Sequence, residues 1–170
     1  SAQRVTVRIS SGGSAMRTGA RFFREALGAC VQSGRRGIFV ARYAEQIPEA
    51  LPPSVLHVTY APFSALFPKA AAVVHHGGIG TTAQCLAAGI PQIVTPMSHD
   101  QPDNARRVVG LGCGVSFPNS KVRASRLAEA IRQTADSPTI RSRAAEMAGR
   151  MSCPGDAISA AVAVEELLGV

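Results

Sequence analysis

Residues 71–75, Ala-Ala-Val-Val-His, form a short, continuous apolar run with no polar alternation. That is the signature of a strand covered on both faces, as in a parallel sheet. The run leads straight into His76-Gly77-Gly78-Ile79-Gly80-Thr81-Thr82 and then into a helical stretch, Thr81 to Ala88, closed by Gly89. A strand buried on both faces needs helices above and below it, so the rest of the chain must supply alternating elements.

It does. Val5 to Ile9 alternates as a strand, and Arg21 to Val31 carries Phe23, Ala26, Leu27 and Cys30 on one helical face. Gly37–Ala41 and Val55–Tyr60 read as two further strands, with a short helical turn at Phe63–Phe67. Pro91–Thr95 is a strand whose proline is tolerated because it opens the element. Ser98 or Asp100 can cap a helix with Pro102 in its first turn, and Cys113–Ser116 is a short strand. Three helices close the chain. The first carries Ala124, Leu127, Ala128, Ile131 and Ala135 on one face; Ser137-Pro138 opens the second; the last spans Ala157 to Leu168. The expected fold is α/β: one Rossmann-like, doubly wound parallel sheet of about six strands with helices on both faces, a single domain over 1–170. Ligands of such sheets lie outside the carboxyl ends of the strands, so the loops there are the places to look.

Composition narrows the function classes. With 46% hydrophobic and 17% charged residues the chain is not a disordered, charge-rich one. No apolar run nears the roughly 18 residues a membrane span needs. The N-terminus lacks the apolar stretch of a secretory leader, and it begins almost inside a strand, as a piece of a longer chain would. The net charge of +7 invites nucleic acid, but the positive residues are scattered and aromatics are only 5%, poor material for stacking bases. A surface that meets phosphates of small molecules is basic too. Cys30, Cys85, Cys113 and Cys153 form no CxxC and no metal-ligand spacing, which reads as buried free thiols of a reducing cytoplasm.

Three strand-end loops carry chemistry. In 75–82, glycines permit close backbone approach, Thr81 or Thr82 can cap the helix, and a helix start attracts anions. With His76 and two threonines the loop suits a phosphate or diphosphate, although an ordinary strand-to-helix turn has the same glycines. It is neither GxxxxGK[ST] nor GxGxxG. Ser10-Ser11-Gly12-Gly13-Ser14 repeats the glycine-hydroxyl theme after the first strand. In the third loop, Asp100 beside Gln101 can read vicinal sugar hydroxyls; helix capping would use Asp100 but not Gln101. His75 and His76, adjacent on a strand, point to opposite faces, so they make a poor metal pair and His75 reads as a core residue. No metal motif is present.

From Val73 through Asn104 the ordered features HHGGxGTT (75–82), GIPQ (89–92), the Asp100-Gln101 pair after Pro96, and Asn104-Ala105-Arg106-Arg107 closely resemble the donor-binding signature of family-1 glycosyltransferases. These are the UDP-glycosyltransferase-like enzymes of GT-B fold, here of the bacterial antibiotic and sterol-glucosyltransferase type. The resemblance extends over the whole chain. It implies the C-terminal half of such an enzyme, a nucleotide-sugar donor-binding domain, with the acceptor-binding N-terminal half and its catalytic base absent.

Residue by residue, the resemblance implies that His76, Gly78, Gly80, Thr81, Thr82, Gly13 and Ser14 meet the donor diphosphate. Asp100 and Gln101 would bind the transferred sugar. Tyr60, where plant relatives have a base-stacking Trp, would meet the nucleoside with Pro62, Phe63 and Gln84. Gln84 replaces a ribose-gripping glutamate and Phe63 a glutamine, which leaves UDP and dTDP both open; core packing is the other reading of Tyr60 and Phe63. The implied reaction moves a hexose from a nucleotide diphosphate sugar to a hydroxyl of a small lipophilic or natural-product acceptor, without cofactor or metal ion. The isolated chain is then expected to bind donor but not to turn over. Two other readings are a non-catalytic nucleotide- or phosphate-binding module, from which the Asp100-Gln101 pair distinguishes it, and the donor-binding subunit of a two-component glycosyltransferase.

Overall fold

The computed structural model describes residues 5–10 and 16–151, with side chains from residue 19 onward. The expected final helix (157–168), Cys153, Gly13 and Ser14 lie outside the described residues. Six parallel strands form one sheet in the order β3-β2-β1-β4-β5-β6: β1 Val5–Ser10, β2 Gly37–Val40, β3 Val55–Val58, β4 Ala70–His75, β5 Gln92–Val94 and β6 Gly114–Ser116. The α-helices are α1 Met16–Ser33, α2 Phe63–Leu66, α3 Ile79–Ala87, α4 Gln101–Gly110, α5 Ala124–Asp136 and α6 Pro138–Met151. The expected doubly wound sheet is present. Tyr60 lies in the loop beyond β3, two residues past its end.

Strand alternation sorts the core into two layers. Ala72 and Val74 of β4 and Ile93 of β5 face α1 and α5, packing with Phe23, Phe39, Leu127 and Ile131. Val73 points the other way, toward Phe67 and Cys85, and Val94 packs with Ala105, Val108 and Ala144 of α4 and α6. Both faces of β4 are thus covered, as its unbroken apolar run requires. Cys30, Cys85 and Cys113 are buried and form no disulfide, in α1, in α3 and just before β6. Burial pushes the Cys30 thiol up to about 11.

Some closures are long-range and invisible in local sequence. The helix α5 opens on Arg123, which makes no side-chain cap; instead Ala124 N–H donates to Glu25 Oε2 of α1 at 2.7 Å. The two helices approach so closely that a Cβ on Gly28 would lie 2.8 Å from Ala124 Cβ. Gly114 is held tighter still, with a Cβ there falling 1.9 Å from Gln92 O across the sheet.

Candidate functional site: the carboxyl edge of the sheet

From β1 the chain winds outward to β2 and β3, then crosses back to β4 and winds the other way to β5 and β6. The winding reverses between β1 and β4, whose ends are in register at Ser10 and His75. A crevice at such a reversal is where doubly wound sheets bind ligands. The glycine loop after β4 rises from it.

The loop is fixed from below. His75 is fully buried, the core residue expected. Its Nδ1 accepts from Gly77 N–H at 3.1 Å, so the ring proton is on Nε2, which donates to Gln92 Oε1 of β5 at 2.9 Å. Gly77 takes φ +93, and a Cβ there would lie 2.8 Å from Val94 Cγ1 and 3.1 Å from Gln101 O. Only glycine fits that turn. At Gly78 a Cβ would sit 2.7 Å from His76 Nε2, so the half-buried His76 ring lies folded against the glycine backbone.

The helix behind the loop begins earlier than expected. Neither Thr81 nor Thr82 caps it: the cap position is Gly78, which has no side chain to offer, and the helix starts at Ile79. Thr82 N–H makes the first intrahelical bond to Gly78 O at 3.0 Å, and its hydroxyl donates to the same carbonyl at 3.1 Å. Gly78 displaces the threonines because its extended backbone (ψ 138) supplies the entry geometry itself. Among the described residues, the first-turn amides of Ile79, Gly80 and Thr81 therefore meet no capping side chain. By contrast, Glu25 meets the start of α5, and Ser137 Oγ accepts from Ile140 N–H (3.2 Å) at the start of α6. A start without a side-chain cap, on a helix whose dipole is positive there, is a receptor for a negative group.

The third loop is braced rather than loose. Asp100 occupies the cap position of α4 but makes no cap bond; its Oδ2 accepts from Asn104 Nδ2 at 2.8 Å. Gln101 Oε1 accepts from Met97 N–H (2.9 Å) and Ser98 N–H (3.3 Å), a structural task the sequence does not reveal. The turn between them puts His99 at φ 59, a left-handed conformation unusual outside glycine. Further along α4, Arg107 and Arg106 bond Asp103 and hold its carboxyl below the usual range.

The remaining expected site residues ring the same edge in part. Tyr60 is 77% exposed, so its core-packing reading fails. Phe63 is half-buried and stacks on Phe67 at 4.9 Å, so for this ring core packing holds. Pro62 is exposed at the start of α2. Gln84 is exposed on α3, its Nε2 donating to Gly80 O at 3.2 Å. Ile79 is 63% exposed at the mouth of the glycine loop. Among the described residues, no group of three His, Cys, Asp or Glu is placed to hold a metal ion, and no helix is long and apolar enough to cross a membrane. Sequence reasoning missed Gln92 and Asn104; both sit in core-facing patterns, and only their pairing reveals them.

A doubly wound parallel domain with a glycine loop and an uncapped helix start at its winding reversal has the architecture of nucleotide-binding α/β domains. The chain belongs to the family described as erythromycin biosynthesis protein CIII-like, C-terminal domain, which it matches over residues 37–166. It is 36% identical over 118 residues to O-mycaminosyltylonolide 6-deoxyallosyltransferase of Streptomyces fradiae, covering 69% of this chain and 28% of that protein. It is 37% identical over 106 residues to sterol 3-beta-glucosyltransferase of Pichia angusta, covering 62% of this chain and 8% of that protein. A crystal structure of the glycotransferase of kitacinnamycin superposes with a TM-score of 0.85 at 25% identity, over 98% of this chain and 44% of that one. The chain thus spans less than half the length of each of these relatives, and the fold is that of the C-terminal half of a GT-B glycosyltransferase.

Proposed function

We propose that this chain is the donor-binding half of a glycosyltransferase that moves a hexose from a UDP- or dTDP-sugar to a hydroxyl of a small lipophilic or natural-product acceptor. The observation that carries the reading is the start of α3 at the winding reversal, with Gly78 at the cap position and no side-chain cap. The donor diphosphate lies on the amides of Ile79, Gly80 and Thr81, with His76, Gly78 and the hydroxyl of Thr81 around it; Thr82 acts by bonding Gly78 O. Gly13 and Ser14, outside the described residues, are assigned to the diphosphate by the family resemblance alone. Asp100 and Gln101 meet the sugar. Tyr60, Pro62 and Gln84 meet the nucleoside, Tyr60 by stacking from its exposed position, while Phe63 packs on Phe67.

When the sugar departs, negative charge grows on the leaving diphosphate. Oriented N–H groups and a positive helix end, already in place, stabilise that charge at little reorganisation cost. No cofactor or metal ion is assigned. The acceptor-binding half, with the general base that takes the hydroxyl proton, is a second domain or subunit, and the exposed Tyr60 and Ile79 are apolar surface suited to face it. In this chain the buried Cys30, Cys85 and Cys113, none of them in a disulfide, suit a reducing cytoplasm, and its scattered positive charge does not suit nucleic acid.

The bonds of Asp100 and Gln101 within their own loop favour one second reading, a plain nucleotide-binding module. Calorimetric titration with UDP, UDP-glucose and dTDP-glucose separates the two. His76→Ala is expected to weaken every diphosphate ligand about tenfold, and Asp100→Ala only the sugar-bearing ones. Equal affinity for UDP and both sugar nucleotides, unaltered by Asp100→Ala, leaves the plain module; no binding at millimolar concentration overturns both.

A further inference from the structure

The two loops just described are joined at one side chain. Asn104 is buried, 6% exposed, one turn into α4. Its Nδ2 donates to Gly77 O at 2.9 Å and to Asp100 Oδ2 at 2.8 Å. An amide nitrogen has two hydrogens, so both are spent, one on the glycine loop and one on the carboxylate. The i to i+4 spacing puts Asn104 directly above Asp100, and Asn104 N–H also donates to Asp100 O at 3.0 Å. On its other side residue 77 is held by His75, which accepts from Gly77 N–H. The chain Gln92, His75, Gly77, Asn104, Asp100 therefore runs unbroken from the buried interior of β5 to the exposed carboxylate.

We infer that Asn104 is a positioning residue: it couples the loop assigned to the diphosphate to the carboxylate assigned to the sugar, so that the two grip one donor in fixed register. The inference rests on the donor-site reading above for its ligands, but not for the coupling itself. No other side chain of this length offers two donors and no acceptor toward these neighbours. An aspartate would set a second carboxylate against Asp100 and against a carbonyl. A leucine keeps the volume and takes this donor from both Gly77 O and Asp100 Oδ2.

The test uses the full chain and two readouts. Amide hydrogen exchange over residues 76–82 needs no ligand. Asn104→Leu is expected to speed exchange there about tenfold relative to residues 71–74, and Asp100→Ala about threefold, because removing one end of a shared amide loosens the other. Calorimetry then follows the ratio of UDP to UDP-glucose dissociation constants in Asn104→Leu, Asp100→Ala and the double variant. Coupling predicts that each single change collapses the ratio and the double adds nothing further. Exchange at 76–82 unmoved by Asp100→Ala, or ratio losses that multiply in the double variant, overturns the inference. If the wild-type chain binds no nucleotide, the donor-site reading fails and the exchange comparison alone decides whether the loops are coupled. Exchange that rises equally in residues 71–74 marks a merely destabilised fold and also overturns it; Asn104→Ser, shorter and polar, gives the same comparison should the leucine variant not fold.

Discussion

The two edges of the sheet are made from the same elements and differ in what those elements present. At the carboxyl edge α3 begins on a glycine with no side-chain cap, its loop pinned from beneath by His75 and from the side by Asn104. At the amino edge a cleft of about 740 Å³ opens among Pro68, Gly89, Pro91, Asp136, Pro138 and Arg141. That cleft gathers the carbonyl ends of α3 and α5, and the helix start there among the described residues, that of α6, is closed by Ser137. Arg35 at its wall is bonded to Asp136. An uncapped helix start favours an anion, and a cleft lined by helix carbonyl ends does not.

Glycines at positive φ occur at both edges and allow the sharpest test. Gly77 (φ +93) and Gly89 (φ +65) both impose strain on any side chain. Gly77→Ala adds a Cβ 2.8 Å from Val94 Cγ1 and is expected to cost about 2–4 kcal/mol of stability and to abolish nucleotide binding. Gly89→Ala, whose Cβ would meet Ala148 Cβ at 3.1 Å, is expected to lower the melting temperature while leaving nucleotide affinity within twofold. Equal loss of binding in both variants would erase the distinction between the edges.

The next effect belongs to the amino-edge side of the core. Burial raises the Cys30 thiol to about 11, so the folded chain keeps its proton while the unfolded chain ionises earlier. The stabilisation is whole below the unfolded thiol value and is lost as pH climbs from about 9 toward 11, on the order of 2 kcal/mol. Denaturant unfolding across that range is expected to show the fall, and Cys30→Ala to flatten it. The same thiol is expected to resist alkylation at neutral pH until the chain unfolds.

Why some of this was legible and some not follows from period and distance. The strands and most helices announce themselves because burial writes a period of two, an unbroken run, or a step of three and four into the sequence, as in 71–75 and 124–135. The turn after β4 is legible because positive φ demands glycine at 77. Partnerships are not legible: His75 with Gln92, Asn104 with Gly77, and Ala124 with Glu25 join residues 17, 27 and 99 positions apart, and no local pattern encodes them. The helix start was misplaced by the threonines for a related reason. A hydroxyl near a helix start looks like a cap, but Thr82 sits in the first full turn and bonds back to Gly78 O instead. Thr82→Val is accordingly expected to cost about 1 kcal/mol in stability, with a smaller change in UDP affinity than Thr81→Val causes. The reverse ranking would restore Thr82 as the direct phosphate contact.

The smallest effect is expected where the cleft looks most site-like. Arg35 bonds Asp136 through both carboxylate oxygens, with the arginine side chain 26% and the aspartate 58% exposed. A pair this open to solvent exchanges water for one partner at nearly equal free energy, and its side chains lose freedom in pairing. Asp136→Asn is thus expected to change stability by less than about 1 kcal/mol, the change shrinking further in high salt as the attraction is screened. Nucleotide affinity should not move, since the pair joins the end of α5 to the turn before β2, both on the far side of the sheet from the loops that hold Gly77 and Asp100. If Asp136→Asn altered UDP binding as strongly as His76→Ala, the amino edge would have to be part of the proposed donor site, and the contrast between an uncapped helix start at one edge and a closed one at the other would not set where nucleotide binds.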